Sequence, residues 1–215
     1  MARLCGVILF MFFMSVNVYA VVAKILDVKG DVRFAGKPVS GAQDLTESGK
    51  LETGTDGSVR VFFPQKKAFA KLNPGSLLAI TVENNKEDIN LLAGVSRWIV
   101  EKAVKSQKEV SLEFRTATAI MGVRGTDFFV SYNPLLAESE IICFDGVVNF
   151  KSAANPRDNK NITRGQWGGI GGRFGEQIGR ILDLPAHVLE AFKNQISIDT
   201  TIPEATTPEA TTPAP

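Results

Sequence analysis

The residues able to do chemistry are few and scattered. The 215-residue chain has one histidine, His187, and two cysteines, Cys5 and Cys143. A lone imidazole with no second ligand or nucleophile near it makes neither a metal centre nor a triad. Glu47/Glu52 and Glu138/Glu140 are acidic pairs, but carboxylates on strands and turns are common on any surface, and spacing alone does not make them a general acid and base. No G-x-S-x-G elbow or H-E-x-x-H helix occurs. The glycine run from Gly168 to Gly175 invites a phosphate-loop reading, yet it lacks a βαβ context and a Gly-Lys-Ser/Thr ending. These patterns imply no cofactor and a protein that is not an enzyme.

What stands out instead is one arginine between two glycines, in Thr116-Ala117-Thr118-Ala119-Ile120-Met121-Gly122-Val123-Arg124-Gly125-Thr126-Asp127-Phe128-Phe129-Val130. A strand around Leu112–Thr118 is expected to feed a tight turn that Gly122 and Gly125 permit, and a second strand to leave through Thr126–Val130. Arg124 carries five donors on a fixed backbone, enough for several carbonyls or a carboxylate. The functional reading is a partner-facing guanidinium; its flanking glycines and apolar neighbours favour instead a buried or half-buried one that satisfies turn carbonyls.

This stretch resembles the signature of the FecR-like domain, named after a periplasmic regulator of iron-citrate uptake. The resemblance runs through Thr116, Ala119, Gly122, Val123, Arg124, Gly125, Thr126, Phe128 and Val130, with Ala117 where the family usually has proline. Weaker echoes are Val28–Val32, Leu51–Gly54, Leu91–Val95 and Asp145–Val148. The resemblance implies a jelly-roll-like β domain, an interaction or signalling role, and a partner protein in the cell envelope. In family regulators a membrane helix passes the signal inward; the one long apolar stretch here lies at the N-terminus.

The elements that must position these residues read as follows. Arg3 and the uncharged run Leu4–Met14, ending in Val18-Tyr19-Ala20, form a signal peptide over residues 1–20 that is too short in its apolar core to span a membrane. Export to the periplasm or the exterior follows. Lys+Arg number 24 against 23 Asp+Glu, and losing Arg3 brings them level, so nothing electrostatic points to nucleic acid or an anionic membrane. Cys143, left alone among Ile141, Ile142 and Phe144, is expected to be buried, as is Trp98.

Residues 21–172 show short β-prone runs broken by glycine, asparagine, aspartate or proline. The expected fold is all-β, an antiparallel jelly-roll-like sandwich or roll. Asp145-Gly146 reads as a hairpin turn, Pro38–Gly49 as a loop, and Asp88–Leu92 and Gly94–Val100 as two strands. Helical spacing over 173–198 suggests two short helices, one through Phe174, Ile178, Ile181 and Leu182 and one through Val188, Leu189, Phe192 and Ile196. They are expected to cover the β domain. Residues 199–215, with repeated Pro-Glu-Ala-Thr-Thr, read as a disordered tail. A structural envelope protein binding cell-wall glycan is the alternative role; exposed Trp98 or Trp167 would favour it, an apolar groove beside the helices a protein partner.

Overall fold

The computed structural model describes residues 21–83, 86–102 and 112–203. The signal-peptide reading of 1–20 and most of the tail, 204–215, lie outside them. The first strands are β1 (Ala23–Lys29), β2 (Val32–Phe34), β3 (Lys37–Pro38), β4 (Gln43–Leu45), β5 (Gly49–Thr53) and β6 (Ser58–Phe63). After them come β7 (Ala68–Leu72), β8 (Leu77–Glu83), β9 (Lys86–Val100), β10 (Leu112–Arg115), β11 (Ala119–Val123) and β12 (Asp127–Asn133). The chain closes with β13 (Glu138–Asp145), β14 (Val147–Ser152), β15 (Asn159–Thr163), β16 (Gln166–Ile170), β17 (Leu182–Asp183) and the helix α1 (Ala186–Gln195).

The fold is all-β. Pairing runs β4-β1-β6-β7-β9-β12-β13-β16-β17 in one layer, sheet A. It runs β3-β2-β5-β8-β9-β10-β11-β14-β15 in the other, sheet B. Every pair is antiparallel except β9–β10. Strand β9 belongs to both layers: its first half pairs with β8 and its second half with β7 and β12, so the two layers form one continuous mixed sheet. Their inner faces meet. Trp98 and Phe128 from sheet A pack on Phe114 from sheet B, with ring centroids 4.8 and 6.2 Å apart, and Phe63 lies 5.4 Å from Trp98. All four rings are fully buried, as strict alternation along each strand requires.

Glycine sets where the chain changes layer. Strands β1→β2, β7→β8, β11→β12, β13→β14 and β15→β16 each cross between layers next to a positive-φ glycine, at Gly30, Gly75, Gly125, Gly146 and Gly165. The sharpest case is internal to β9. Gly94 has φ +88°, and a Cβ there would lie 2.5 Å from the Ser76 Cα and 2.7 Å from the Gly75 carbonyl oxygen. The bend interrupts the ladder, and the buried Ser76 hydroxyl repairs it: it donates to the Val95 carbonyl and accepts from the Val95 N–H, both at 2.9 Å.

Four expectations change. Asp145-Gly146 is not a hairpin: β13 pairs with β12 and β16, β14 with β11 and β15, because inward residues on both sides of the turn feed different layers. Gly94 bends one strand and does not separate two. Pro38–Gly49 contributes the short strand β4, whose Leu45 is buried. Finally, Phe174–Leu182 is not helical. Gly175 and Gly179 cost a helix stability. The apolar residues are drawn to separate places: Ile178 and Ile181 into the main core, Phe174 onto Trp167 with centroids 5.4 Å apart. One C-terminal helix therefore forms, directly after Pro185.

Gly94→Ala should lower stability by about 2–4 kcal/mol, combining the cost of a left-handed non-glycine residue with backbone overlap. Gly122→Ala is its control. Gly122 lies within β11, with Asn149 Cβ 3.7 Å from a built Cβ and no closer atom, so the change should stay within about 1 kcal/mol of wild type. Urea denaturation of both variants checks the contrast.

Candidate functional site

The arginine–glycine stretch is a layer crossing. Thr116 and Ala119 close the β10–β11 hairpin through two backbone-directed bonds, Thr116 N–H to the Ala119 carbonyl at 2.9 Å and Ala119 N–H to Thr116 Oγ1 at 3.0 Å. The buried Thr116 hydroxyl also lies 2.6 Å from Ser139 Oγ on β13, as does that of Thr118, which ties sheet B to sheet A. Ala119, Val123, Phe128 and Val130 all point into the core, 0–1% exposed. Gly125, φ +58°, and Thr126, buried, make the corner, and it interlocks with the next one. A Cβ on Gly146 would meet Thr126 Cγ2 at 2.6 Å and the Gly125 carbonyl oxygen at 2.8 Å. Arg124 is exposed, contrary to the expected burial. Val123 is the last inward residue of β11, so the next side chain turns outward.

The densest polar chemistry lies on the outer face of sheet A. Register across the layer aligns Asp27, Arg60, Lys71, Arg97, Phe129, Ile142, Trp167 and Leu182. Half of this row is charged and half is apolar. Arg97, 5% exposed, donates from Nε and Nη2 to the two carboxylate oxygens of Asp127 at 2.9 and 2.8 Å, and its guanidinium lies 5.0 Å from the Phe144 ring centre. Arg60 donates to Asp27 at 2.5 Å. Burial and the neighbouring Lys29 and Arg97 push the Lys71 ammonium below its ordinary pKa, against the pull of Asp27. The C-terminal segment lies over this row. Ile196 packs with Phe129, Ile142 and Phe144 into a second, smaller core, with Leu184 and Leu189 at its margin. Beside α1 an apolar groove of about 280 Å³ stays open, lined by Phe129, Ile142, Trp167, Leu184 and Phe192.

Comparison with known proteins bears on the central stretch first. The FecR protein family model matches residues 49–149, which include the whole Thr116–Val130 segment and the β9 bend. Residues 49–149 are FecR-like. No curated protein matches the sequence. Among solved structures, two of a candidate anti-sigma factor from Parabacteroides distasonis share the fold, with TM-scores of 0.54 and 0.53 at 16% and 15% identity. Each match covers 66% of this chain and 63% of that one, so the likeness stops short of two thirds of that protein's length.

The acidic pair Glu138/Glu140 and the glycine run, which lies beyond the matched residues, turn out to serve one another. Glu138, 7% exposed, accepts from the Arg173 N–H at 2.8 Å, and the Arg173 guanidinium pairs with both carboxylates while lying 5.4 Å from the Trp167 ring centre. A carboxylate thus occupies the donor that a phosphate loop would offer. Among the described residues no three His, Cys, Asp or Glu are placed to hold a metal, and His187 is exposed on α1. Cys143 is buried, its thiol pushed up to about 12 by burial and by the nearby Asp145 and Asp127 carboxylates. Arg60, Lys71 and Arg97 are not recognisable as a set in the sequence, because their alignment exists only in the cross-strand register.

Two outcomes follow from this geometry. Arg97→Ala leaves the nearly buried Asp127 without its fork and should cost about 3–5 kcal/mol, with faster proteolytic clipping beyond residue 185 as the specific sign. Cys143 should alkylate at pH 8 at least about 100-fold more slowly in the native protein than in urea, since the thiolate is the nucleophile. Its raised pKa also means a stability contribution present below the unfolded value near 9 and lost as pH rises toward 12; mass-spectrometric labelling and alkaline melts read these out.

Proposed function

We propose that the protein is an exported, signalling-related interaction module of the cell envelope that works by binding another protein and not by catalysis. The observation that carries this reading is the apolar groove between α1 and the outer face of sheet A, in which Phe129, Ile142, Trp167, Leu184 and Phe192 converge with Glu140 and Arg173 at the rim. Apolar lining with a few polar groups suits a protein side chain better than a sugar. The FecR domain and the fold shared with a candidate anti-sigma factor support a regulatory role. Among the described residues no helix is long and apolar enough to cross a membrane.

Glycan binding by exposed tryptophans finds less support. Trp98 is fully buried, and Trp167 is half-buried against Phe174 and Arg173. The Thr116–Val130 motif, with its side chains in the core and its glycine at a layer crossing, serves the scaffold in this reading.

A photo-crosslinking residue at position 192 in the full chain, expressed in cells of the source organism, tests the proposal. A discrete protein adduct at 192, absent when the probe sits at Asn161 on the far layer, is the expected result. Adducts to cell-wall material alone, or equal labelling at both sites, would reject the groove as a protein contact.

A further inference from the structure

Arg60, Lys71 and Arg97 stand in adjacent strands of sheet A, and what they hold is main chain. Arg97 Nη1 donates to the carbonyls of Lys193 at 3.0 Å and Ile196 at 3.2 Å. Lys71 Nζ donates to the Ser197 carbonyl at 2.8 Å. Arg60 Nη1 donates to the carbonyls of Asp199 at 2.7 Å and Thr201 at 2.8 Å. One side chain joins in, the Asp199 carboxylate, 3.3 Å from Arg60. Three cations thus step along one polypeptide in order, from the end of a helix into the irregular stretch that follows it.

Two features separate the receptor from what occupies it. The face is built without the segment: Asp27 fixes Arg60 and Asp127 fixes Arg97 from within the sheet, so the guanidinium forks are already aimed. The occupant, by contrast, is shallowly held. Helix α1 has ten residues, no side-chain N-cap and no fully buried residue, and helices of that length are marginal alone. Phe192 remains 37% exposed. Three cations against two sheet carboxylates leave positive charge for a helix C-terminus and one acid to neutralise.

We propose that the outer face of sheet A is a peptide-docking surface whose resident ligand is the chain's own residues 186–201. A partner docks there by displacing that segment with one of the same form. The form is a short amphipathic helix whose last carbonyls meet Arg97, then an irregular stretch with a carboxylate for Arg60. This rests on the protein-binding reading above and names its surface and its class of ligand.

The test uses a fluorescein-labelled peptide of residues 186–203 and the full-length protein, read by anisotropy. The tethered segment competes at high effective concentration, so wild type should bind the probe weakly. Ile196→Asp, which breaks the resident's contact with Phe129 and Ile142, should bind it at least tenfold more tightly while still melting cooperatively. If that variant does not fold, Leu189→Asp provides the same opening. Adding Arg97→Lys, which keeps the charge but loses the fork, should cost about tenfold, and so should Lys71→Ala. An opened, folded variant that binds no better than wild type overturns the proposal, as does binding indifferent to Arg97. So does a concentration-dependent dimer by light scattering, which would give the face to a second copy's segment. A protein adduct at position 192 with no probe binding would retain the protein-binding reading and remove this one; probe binding that follows these variants, without an adduct, would keep the docking face and reject only the open groove beside Phe192 as the contact.

Discussion

The whole structure depends on β9 changing layers at Gly94. A strand of fifteen residues crosses the molecule once, and its two halves supply the centre of both sheets. Its inward residues Ile89 and Leu91 pack in sheet B, and Trp98 and Val100 in sheet A. Because one backbone serves both layers, they cannot slide past each other without breaking the Ser76–Val95 bonds or unstacking Trp98 from Phe114. Strand β10 then lies parallel to the first half of β9, with Phe114 beside Ile89 and Arg115 beside Asn90.

This dependence explains what the sequence shows and what it hides. Short apolar alternations and glycine-bearing breaks state the class plainly, and Val59, Val61 and Phe63 announce their shared inner face. A glycine between two runs does not say whether the runs pair with each other or part to different layers. Asp145-Gly146 has the composition of a hairpin turn and performs a crossing, because Val148 and Phe150 find partners in β11 and not in β13. Arg124 shows the same limit. Flanking glycines suggest confinement, yet alternation from the buried Val123 sends the side chain outward.

The outer face of sheet A lies beyond sequence reading for a different reason. Arg60, Lys71 and Arg97 are 11 and 26 positions apart, and nothing local marks them as neighbours. Helical spacing did reveal α1, since its apolar stripe survives without tertiary help. It misread Phe174–Leu182, where the same spacing arises by chance among residues that pack in different directions around the edge of β16. Gly168 and Gly169 permit that wrap: side chains of Ile181 and Phe174 lie where their Cβ atoms would be.

The carbonyl grip on the C-terminal segment has an evolutionary side. Amide oxygens are common to all residues, so a sheet that reads them imposes few demands on which amino acids follow α1. It imposes a strict one on how many. The three cations stand in neighbouring strands, about 4.8 Å apart, and meet the carbonyls of Lys193 and Ile196, then Ser197, then Asp199 and Thr201. Substitutions at Ser197 and Thr201 would leave every carbonyl in place, whereas a single residue inserted or deleted after Ile196 would shift those of Ser197, Asp199 and Thr201. Between Ser197 and Thr201, a grip on carbonyls constrains length more than identity.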